Sequence, residues 1–197
     1  MKVFSRSIPS ASPIEPGTGS RNGVQMGRRL AICLSMNAEA AHLILQLGLA
    51  PLPGEGGFFA STWTSAQREP RGRAMGSAIL FLITREDFSA LHRLGTDEIW
   101  HFNAGDPAEL AVLDPTDGTS RVCILGPDVA GAHVPQAVVR AGAWQGARLV
   151  PGGARGWALF GCTLSPAWDE AEFELGRRED LLRAFPAQAA VIAALTR

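Results

Sequence analysis

The sequence contains no tyrosine and only three cysteines among its 197 residues. The cysteines, at positions 33, 123 and 162, are odd in number and include no close pair, which argues against a disulfide framework and a zinc site. Free, mostly buried thiols are typical of a reducing cytoplasm, where we expect the protein to be. The lack of tyrosine also removes the phenol group that often serves as a general acid in enzymes acting on sugars.

Charge of one sign is not concentrated anywhere along the chain. Its 18 basic and 19 acidic residues are mixed, and the formal net charge is −1. Proteins that grip nucleic acid or an anionic membrane usually gather positive charge on one face, so we expect neither partner. Long apolar runs are also missing. The stretch at residues 30–34 is shorter than the roughly seven residues of a secretory signal or the roughly 20 of a membrane span, so no targeting segment is predicted.

The chain divides into a polar tail and one domain. Residues 1–35 are rich in Ser, Pro, Gly and Arg, which predicts a disordered or loosely ordered tail, and residues 36–197 are predicted to form a single domain. Asn37 is expected to cap a helix over residues 38–46. Short β-type runs separated by Gly, Pro and Asp then predict a sandwich or barrel. We place strands at residues 58–64, 77–84, 89–93, 98–103, 109–114, 120–125, 137–140, 146–150 and 157–164, and amphipathic helical segments at 178–185 and 186–195.

Two segments of the chain resemble the sequence motifs of cupins. In the first motif, a His and a Glu on two strands joined by a tight turn both point into a barrel, and His92 and Glu98 follow that spacing. Leu94 stands where the motif has a second His. In the second motif a Gly precedes a further His, and this chain keeps Gly142 but has Gln145 at the His position.

The surrounding residues resemble one cupin family in particular, DUF985 (Cupin_5). The shared segments are Leu47-Gly48-Leu49, residues 55–59 (EGGFF), 88–93 (FSALHR), 97–107 (DEIWHFNAGDP), 125–128 (LGPD), Trp144-Gln145, Cys162-Thr163 and Pro166. The resemblance covers roughly residues 37–197 without large gaps. It implies an all-β fold, a cupin (jelly-roll) β-barrel with an N-terminal helix and C-terminal helices, and a homodimer. It implies no particular reaction, because most members of the family have no assigned function.

The resemblance also bears on metal binding and on catalysis. A complete cupin site offers three His and one Glu to a transition metal, whereas this chain keeps only His92 and Glu98 of that set. We therefore expect no metal cofactor; if a metal were bound, its ligands would be His92, Glu98 and Gln145. Without metal, His92 is a candidate base and Glu98 a candidate acid or orienting group. The alternative is that these two side chains only satisfy each other inside the barrel.

Further residues are candidates for contact with a small-molecule ligand. They are Glu55, Phe58, Thr62, Trp100, His101, Trp144 and Gln145. Glu55 lies in a Gly-rich turn that lets backbone approach a ligand, although an ordinary turn is the alternative. The tryptophans are either ligand contacts or core residues. Strand alternation places His101 on the face opposite Glu98, which favours a structural role unless a bulge intervenes.

Three functions remain open at this point. The favoured one is a metal-independent enzyme of the epimerase, isomerase, dehydratase or cyclase type, in which His92 is the base, Glu98 the acid and Gln145 a hydrogen-bond donor. The second is a binding module without turnover, which the apolar strand at residues 58–64 supports. The third is a metal-dependent oxygenase or decarboxylase, against which Leu94 and Gln145 count. The substrate is not predicted.

Overall fold

The computed structural model describes residues 37–197, so the predicted tail at residues 1–35 lies outside the described residues. In this part of the chain there are three α-helices, two short 3-10 turns and eleven strands. The helices are α1 (Ala38–Gln46), α2 (Arg178–Ala184) and α3 (Ala189–Ala194), and the 3-10 turns are Glu170–Glu172 and Pro186–Gln188. The strands are β1 (Ala50–Pro51), β2 (Phe58–Thr64), β3 (Ser77–Thr84), β4 (Ser89–Arg93), β5 (Glu98–Gly105), β6 (Ala108–Leu113), β7 (Ser120–Leu125), β8 (Gln136–Val139), β9 (Trp144–Leu149), β10 (Trp157–Leu164) and β11 (Glu174–Leu175).

Local sequence signals account for most of these elements. All nine predicted strands are present, and β2, β3, β4, β7 and β10 have the predicted bounds. The predicted cap of α1 is confirmed, because the Asn37 side chain accepts a 2.7 Å hydrogen bond from the backbone N–H of Glu39. The two-residue strands β1 and β11 were missed. Strands this short carry no periodicity and form only because a longer neighbour pairs with them.

The strands form two antiparallel sheets. The first has the order β1-β2-β3-β10-β5-β8, and the second has the order β11-β4-β9-β6-β7. Strands β3, β4 and β5 alternate between the sheets, as do β8, β9 and β10, so the chain crosses repeatedly from one sheet to the other. This is a jelly-roll-like arrangement.

An apolar core shared by both sheets lies between them. Its largest members are Phe81, Trp100 and Phe160 of the first sheet, and Leu110 and Ala147 of the second sheet pack in the same cluster. The indole of Trp100 meets the rings of Phe81 and Phe160 edge-on, with centroid separations of 5.7 and 5.4 Å. Edge-to-face aromatic contacts of this kind add to the free energy gained from burying the rings.

Helices cover the outer faces of the sheets, so the expectation of an all-β fold is corrected to a mainly β fold with helical cover. Helix α1 packs on the first sheet through Ala40, which is fully buried beside Leu82 and Trp157. Helices α2 and α3 pack on the second sheet through Leu181 and Ile192. No helix in residues 37–197 is long and apolar enough to cross a bilayer.

Candidate functional site

Five polar side chains are buried near one another beside the aromatic core. They are Glu55, Ser89, His92, Glu98 and Gln145, and between 0 and 7% of each residue is exposed. Two separate contact groups make up this cluster, one around Glu98 and one around His92. Strand pairing brings the groups together, because His92 on β4 and Gln145 on β9 are register partners. We call these five residues the interior site.

A chain of hydrogen bonds fixes the Glu98 side of the interior site. The indole N–H of Trp100 donates to the side-chain oxygen of Gln145 at 2.8 Å. The side-chain nitrogen of Gln145 in turn donates to the carboxyl of Glu98 at 2.6 Å. Because an indole is only a donor, the amide oxygen must face Trp100 and the NH2 group must face Glu98.

Burial changes the acidity of Glu98. Removal from water, aided by the nearby carboxylate of Glu55 and opposed by the proximity of His92 and the hydrogen bond from Gln145, raises the pKa of its carboxyl from 4.5 to about 7. Both the protonated and the ionised form of Glu98 are therefore populated near neutral pH. This is the range in which a carboxylic acid is an effective general acid.

The backbone sets the tautomer of His92. Its Nδ1 lies 2.9 Å from the carbonyl oxygen of Ala90, which can only accept, so Nδ1 carries the proton. The Oε1 atom of Glu55 lies 3.7 Å from the same nitrogen, too far for a hydrogen bond but close enough for an electrostatic contact. That oxygen also accepts a 2.7 Å hydrogen bond from the hydroxyl of Ser89. In the neutral ring this tautomer has its lone pair on Nε2.

Backbone contacts at the ends of three strands place these side chains. The carboxylate of Asp97 accepts from the backbone N–H of Ala141 at 2.9 Å and from the guanidinium of Arg140 at 2.7 Å. These two bonds, the first more than the second, lower the pKa of Asp97. The backbone N–H of Gly142 also donates to the carbonyl of Leu94 at 2.8 Å. The turn before β9 is thus tied to the loop between β4 and β5, the strands that carry His92 and Glu98.

The end of the DEIWHFNAGDP segment is structural. The buried carboxylate of Asp106 accepts hydrogen bonds from the backbone N–H groups of Arg155 at 3.1 Å and Gly156 at 2.6 Å. Gly105 has a φ of +105°, and a Cβ at this position would lie 2.3 Å from the carbonyl oxygen of Trp157. Only glycine fits this position. These contacts hold the turn between β5 and β6 and take no part in the interior site.

Three of the residues predicted as ligand contacts lie outside the interior site. Phe58 packs under α1 on the outer face of the first sheet. Trp144 packs against α2 and α3 with the guanidinium of Arg93 4.7 Å above its ring, since alternation along β9 turns it away from Gln145. Thr62 is exposed, and its hydroxyl donates to the carbonyl of Ala78.

His101 also lies away from the interior site, as strand alternation predicts. Its Nε2 is 2.8 Å from the hydroxyl of Thr163, and its Nδ1 accepts from the side-chain nitrogen of Gln136 at 3.1 Å. Both partners lie on strands that flank β5 in the first sheet. Trp100 is near the site, but its indole N–H is committed to Gln145. Of the predicted ligand contacts, Glu55, Trp100 and Gln145 are therefore brought together with His92 and Glu98.

One member of the interior site, Ser89, and two of its neighbours, Phe173 and Cys162, were not predicted as site residues. Ser89 donates a hydrogen bond to Glu55. Its position in the FSALHR segment is the sequence feature that could have identified it as a site residue. Phe173 stacks on the His92 ring with a centroid separation of 5.5 Å and an interplanar angle of 28°. Cys162 is buried, and burial together with the charges of Glu98 and Glu55 raises the pKa of its thiol well above the usual range. Neither Phe173 nor Cys162 carries a local sequence signal for this position.

The donor atoms of the interior site do not fit a transition metal. Leu94 is buried and offers no ligand atom. The conditional ligand set of His92, Glu98 and Gln145 does not converge, because the amide presents N–H groups toward Glu98 and its oxygen is bound by Trp100. Within residues 37–197 no group of three or more His, Cys, Asp and Glu side chains is placed to hold a metal ion.

Two open cavities lie at the surface near this region. One, of about 370 Å³, is lined by residues at the β3–β4 turn and the end of β9, among them Arg85, Asp106 and Arg148. The other, of about 390 Å³, is lined by Gly54, Ala90, Leu175, Gly176, Arg177, Arg178, Glu179 and Arg197, and Gly54 and Ala90 connect it to the walls of the interior site. Neither cavity contains the acid and base groups.

Comparison with known proteins agrees with this fold. The family model described as Cupin superfamily (DUF985), Cupin_5, matches residues 41–176. A crystal structure of a protein from Shewanella oneidensis is 34% identical, with 82% of this chain and 98% of that chain covered and a TM-score of 0.74. A hypothetical protein from Leishmania major is 33% identical over 81% of this chain and 98% of that chain, with a TM-score of 0.73.

A more distant structure shares the fold alone. A cupin 2 domain-containing protein from Halorhodospira halophila is 17% identical, with 74% of this chain and 86% of that chain covered and a TM-score of 0.50. No curated protein matches the chain. The comparisons therefore define the fold and leave the chemistry to be argued from the interior site.

Proposed function

The chain belongs to the DUF985 (Cupin_5) family of the cupin superfamily, and we propose that it acts on a small molecule in the interior site by metal-independent proton transfer. The observation that carries this proposal is the burial of the Glu98 carboxyl, which raises its pKa to about 7 and so lets it donate a proton near neutrality. An imidazole with a free Nε2 lone pair, His92, belongs to the same cluster. An epimerase, isomerase, dehydratase or cyclase needs such an acid and base.

The hydrogen bonds of His92 and Glu98 give them different roles, His92 as the base and Glu98 as the acid. His92, neutral and protonated at Nδ1, takes a proton at Nε2 from a carbon next to a carbonyl group. The resulting imidazolium is stabilised by the carboxylate of Glu55, which lies 3.7 Å from Nδ1. Protonated Glu98 supplies a proton to the developing oxyanion or leaving group, and Gln145 holds the carboxyl in place throughout.

Charge in the interior site limits the class of ligand. Two carboxyl groups and one imidazole are buried here, and within residues 37–197 the buried polar residues include no Lys or Arg. A buried phosphate or carboxylate would therefore lack a cationic partner, at a high cost in free energy. These features favour a neutral ligand or one that carries an amine.

A ligand reaches the interior site past Phe173, which covers the His92 ring. The segment that carries Phe173 is held by the short pairing of β11 with β4 and by two ion pairs, Arg73–Glu172 at 2.8 Å and Arg93–Glu174 at 2.5 Å. Partly exposed pairs of this kind contribute at most about 1 kcal/mol each. We propose that residues 170–175, which we call the cover segment, move to admit the ligand.

Solvent exchange tests the proposal with a panel of compounds in place of a single substrate. The protein is incubated in D2O with neutral and amine-bearing carbonyl compounds, and loss of C–H signals next to the carbonyl is followed by NMR. We expect exchange of at least one compound, abolished by His92→Asn and by Glu98→Gln. The matched controls His101→Asn and Glu109→Gln alter residues outside the interior site and should keep the exchange. Exchange that survives both site variants would contradict the proposal.

The aromatic core supports a second candidate function, ligand binding without turnover. Phe81, Trp100 and Phe160 form a cluster of edge-to-face aromatic rings between the sheets. Aromatic side chains of this kind commonly contact small apolar ligands. In that case the protein would bind a panel member tightly, and no deuterium would enter it.

A further inference from the structure

Trp100 sets the orientation of the Gln145 amide, although its own hydrogen bond is to Gln145 and not to Glu98. We infer that the indole N–H of Trp100 keeps divalent metal ions out of the site by holding the Gln145 amide with its NH2 group toward Glu98. The inference rests on the interior site proposed above and does not depend on turnover there.

The orientation of the amide follows from the chemistry of its two partners. Trp100 and Gln145 are each 1% exposed and Glu98 is 5% exposed, so water does not compete for these hydrogen bonds. Turning the amide over would place its N–H groups against the indole N–H and its oxygen against the carboxyl oxygen of Glu98. Both hydrogen bonds would be lost, and buried donors and acceptors would be left without partners. One orientation is therefore strongly preferred.

This orientation disfavours the binding of a cation beside Glu98. A metal ion in contact with that carboxyl would meet the hydrogens of the Gln145 amide, which carry partial positive charge. The oxygen of Gln145, the one atom of its side chain that binds hard or borderline metals, already accepts from Trp100 at 2.8 Å. His92 and Glu98 are the ligands that remain, whereas catalytic zinc sites use three protein ligands.

A histidine placed at position 145 would meet the same constraint. An imidazole there would accept the Trp100 N–H at one ring nitrogen and would then carry its proton on the other nitrogen, facing Glu98. That tautomer has no lone pair for a metal ion. Restoring a His at this position is therefore not enough to restore a metal site, because Trp100 must also lose its N–H group.

Metal titration of a small set of variants tests the inference. Co²⁺ is titrated into the unmutated protein, Gln145→His, Gln145→His/Trp100→Phe and the matched control Gln145→His/Trp144→Phe, with visible absorbance and equilibrium dialysis as readouts. Outer-shell partners change metal affinity by about 10- to 100-fold, so we expect Gln145→His/Trp100→Phe to bind about 10- to 100-fold more tightly than Gln145→His. The control should bind as Gln145→His does, because Trp144 lies on the other face of β9.

The inference is overturned if Gln145→His binds Co²⁺ as tightly as Gln145→His/Trp100→Phe, or if neither binds. Gln145→His/Trp100→Met also lacks the side-chain N–H group and should show the same increase in Co²⁺ affinity. It serves as a control in case Gln145→His/Trp100→Phe does not fold. NMR of the unmutated protein is an independent test. The side-chain ¹⁵N–¹H signals of Gln145 should stay sharp in the presence of paramagnetic Co²⁺, and their broadening would overturn the inference. No substrate is needed, so failure here and failure of the exchange test are distinguishable.

Discussion

The side-chain nitrogen of Gln145 donates a 2.6 Å hydrogen bond to the carboxyl of Glu98, and both side chains are almost wholly buried. An amide donor satisfies this carboxyl whether it is ionised or protonated, so the contact persists when the proton leaves. A cation in the same place would instead hold Glu98 ionised. The pair is therefore suited to proton transfer, and the predictions that concern the site depend on it.

The buried carboxyl of Glu98 should make folding stability fall as pH rises. Its pKa is raised from 4.5 to about 7 on folding, so between these values the folded state binds more protons than the unfolded state. The stabilisation is complete below pH 4.5 and is lost as pH rises through about 7, a loss of about 3 kcal/mol. Denaturant unfolding from pH 4.5 to pH 8.5 measures it.

The variant Glu98→Gln removes this dependence while it keeps the size of the side chain. Its free energy of unfolding should vary less with pH over the same range, and at pH 8.5 it should exceed that of the unmutated protein. Glu109→Gln, at a partly exposed ion pair with Arg148, serves as the control and should keep the original slope. Equal slopes for the unmutated protein and Glu98→Gln would rule out the raised pKa.

Asp106 should matter for stability and not for chemistry. Its carboxylate accepts two backbone hydrogen bonds, from Arg155 and Gly156, in a buried turn. Asp106→Ala leaves these donors unsatisfied and should lower the free energy of unfolding by about 2–3 kcal/mol. Asp106→Asn keeps one acceptor oxygen and should lose less. A change below about 0.5 kcal/mol for Asp106→Ala, comparable with that of the exposed Glu86→Ala, would refute the structural role.

The cover segment should govern access of reagents to Cys162. With the other cysteines replaced by serine, this buried thiol should react with iodoacetamide only when the interior opens. Glu172→Gln/Glu174→Gln removes two ion pairs worth up to about 1 kcal/mol each, so labelling should quicken, by up to about 30-fold. Glu109→Gln removes an ion pair elsewhere and should not alter the rate. An unchanged rate in the double variant would show that access does not depend on the cover segment.

Sequence patterns predicted the strands well because turn residues mark where each strand ends. They predicted less well which side chains of a strand point toward the space between the two sheets. Both faces of each sheet are covered, by the opposite sheet on one side and by helices on the other, so a strand such as β9 has buried residues in succession. Trp144 and Gln145 are both buried and lie on opposite faces, and period-2 alternation does not show which of them faces inward.

The interior site was predicted in part for a related reason. His92, Glu98 and Gln145 lie at motif positions whose geometry is fixed by two tight turns, and Glu55 lies in a recognisable glycine-rich turn. Phe173 reaches His92 from a segment about 80 residues away along the chain, through pairing of β11 with β4. Contacts at such separation depend on the whole topology and leave no local pattern.

Titration of Glu98 itself tests the central claim most directly. The protein is labelled with ¹³C at the side-chain carboxyl of glutamate, and the Glu98 signal is assigned by its absence in Glu98→Gln. Its chemical shift is then followed from pH 4 to pH 9. The account predicts a midpoint near 7, as burial beside Glu55 requires. A midpoint near 4.5 would show that Glu98 stays ionised at neutral pH, and it would contradict the assignment of Glu98 as the acid.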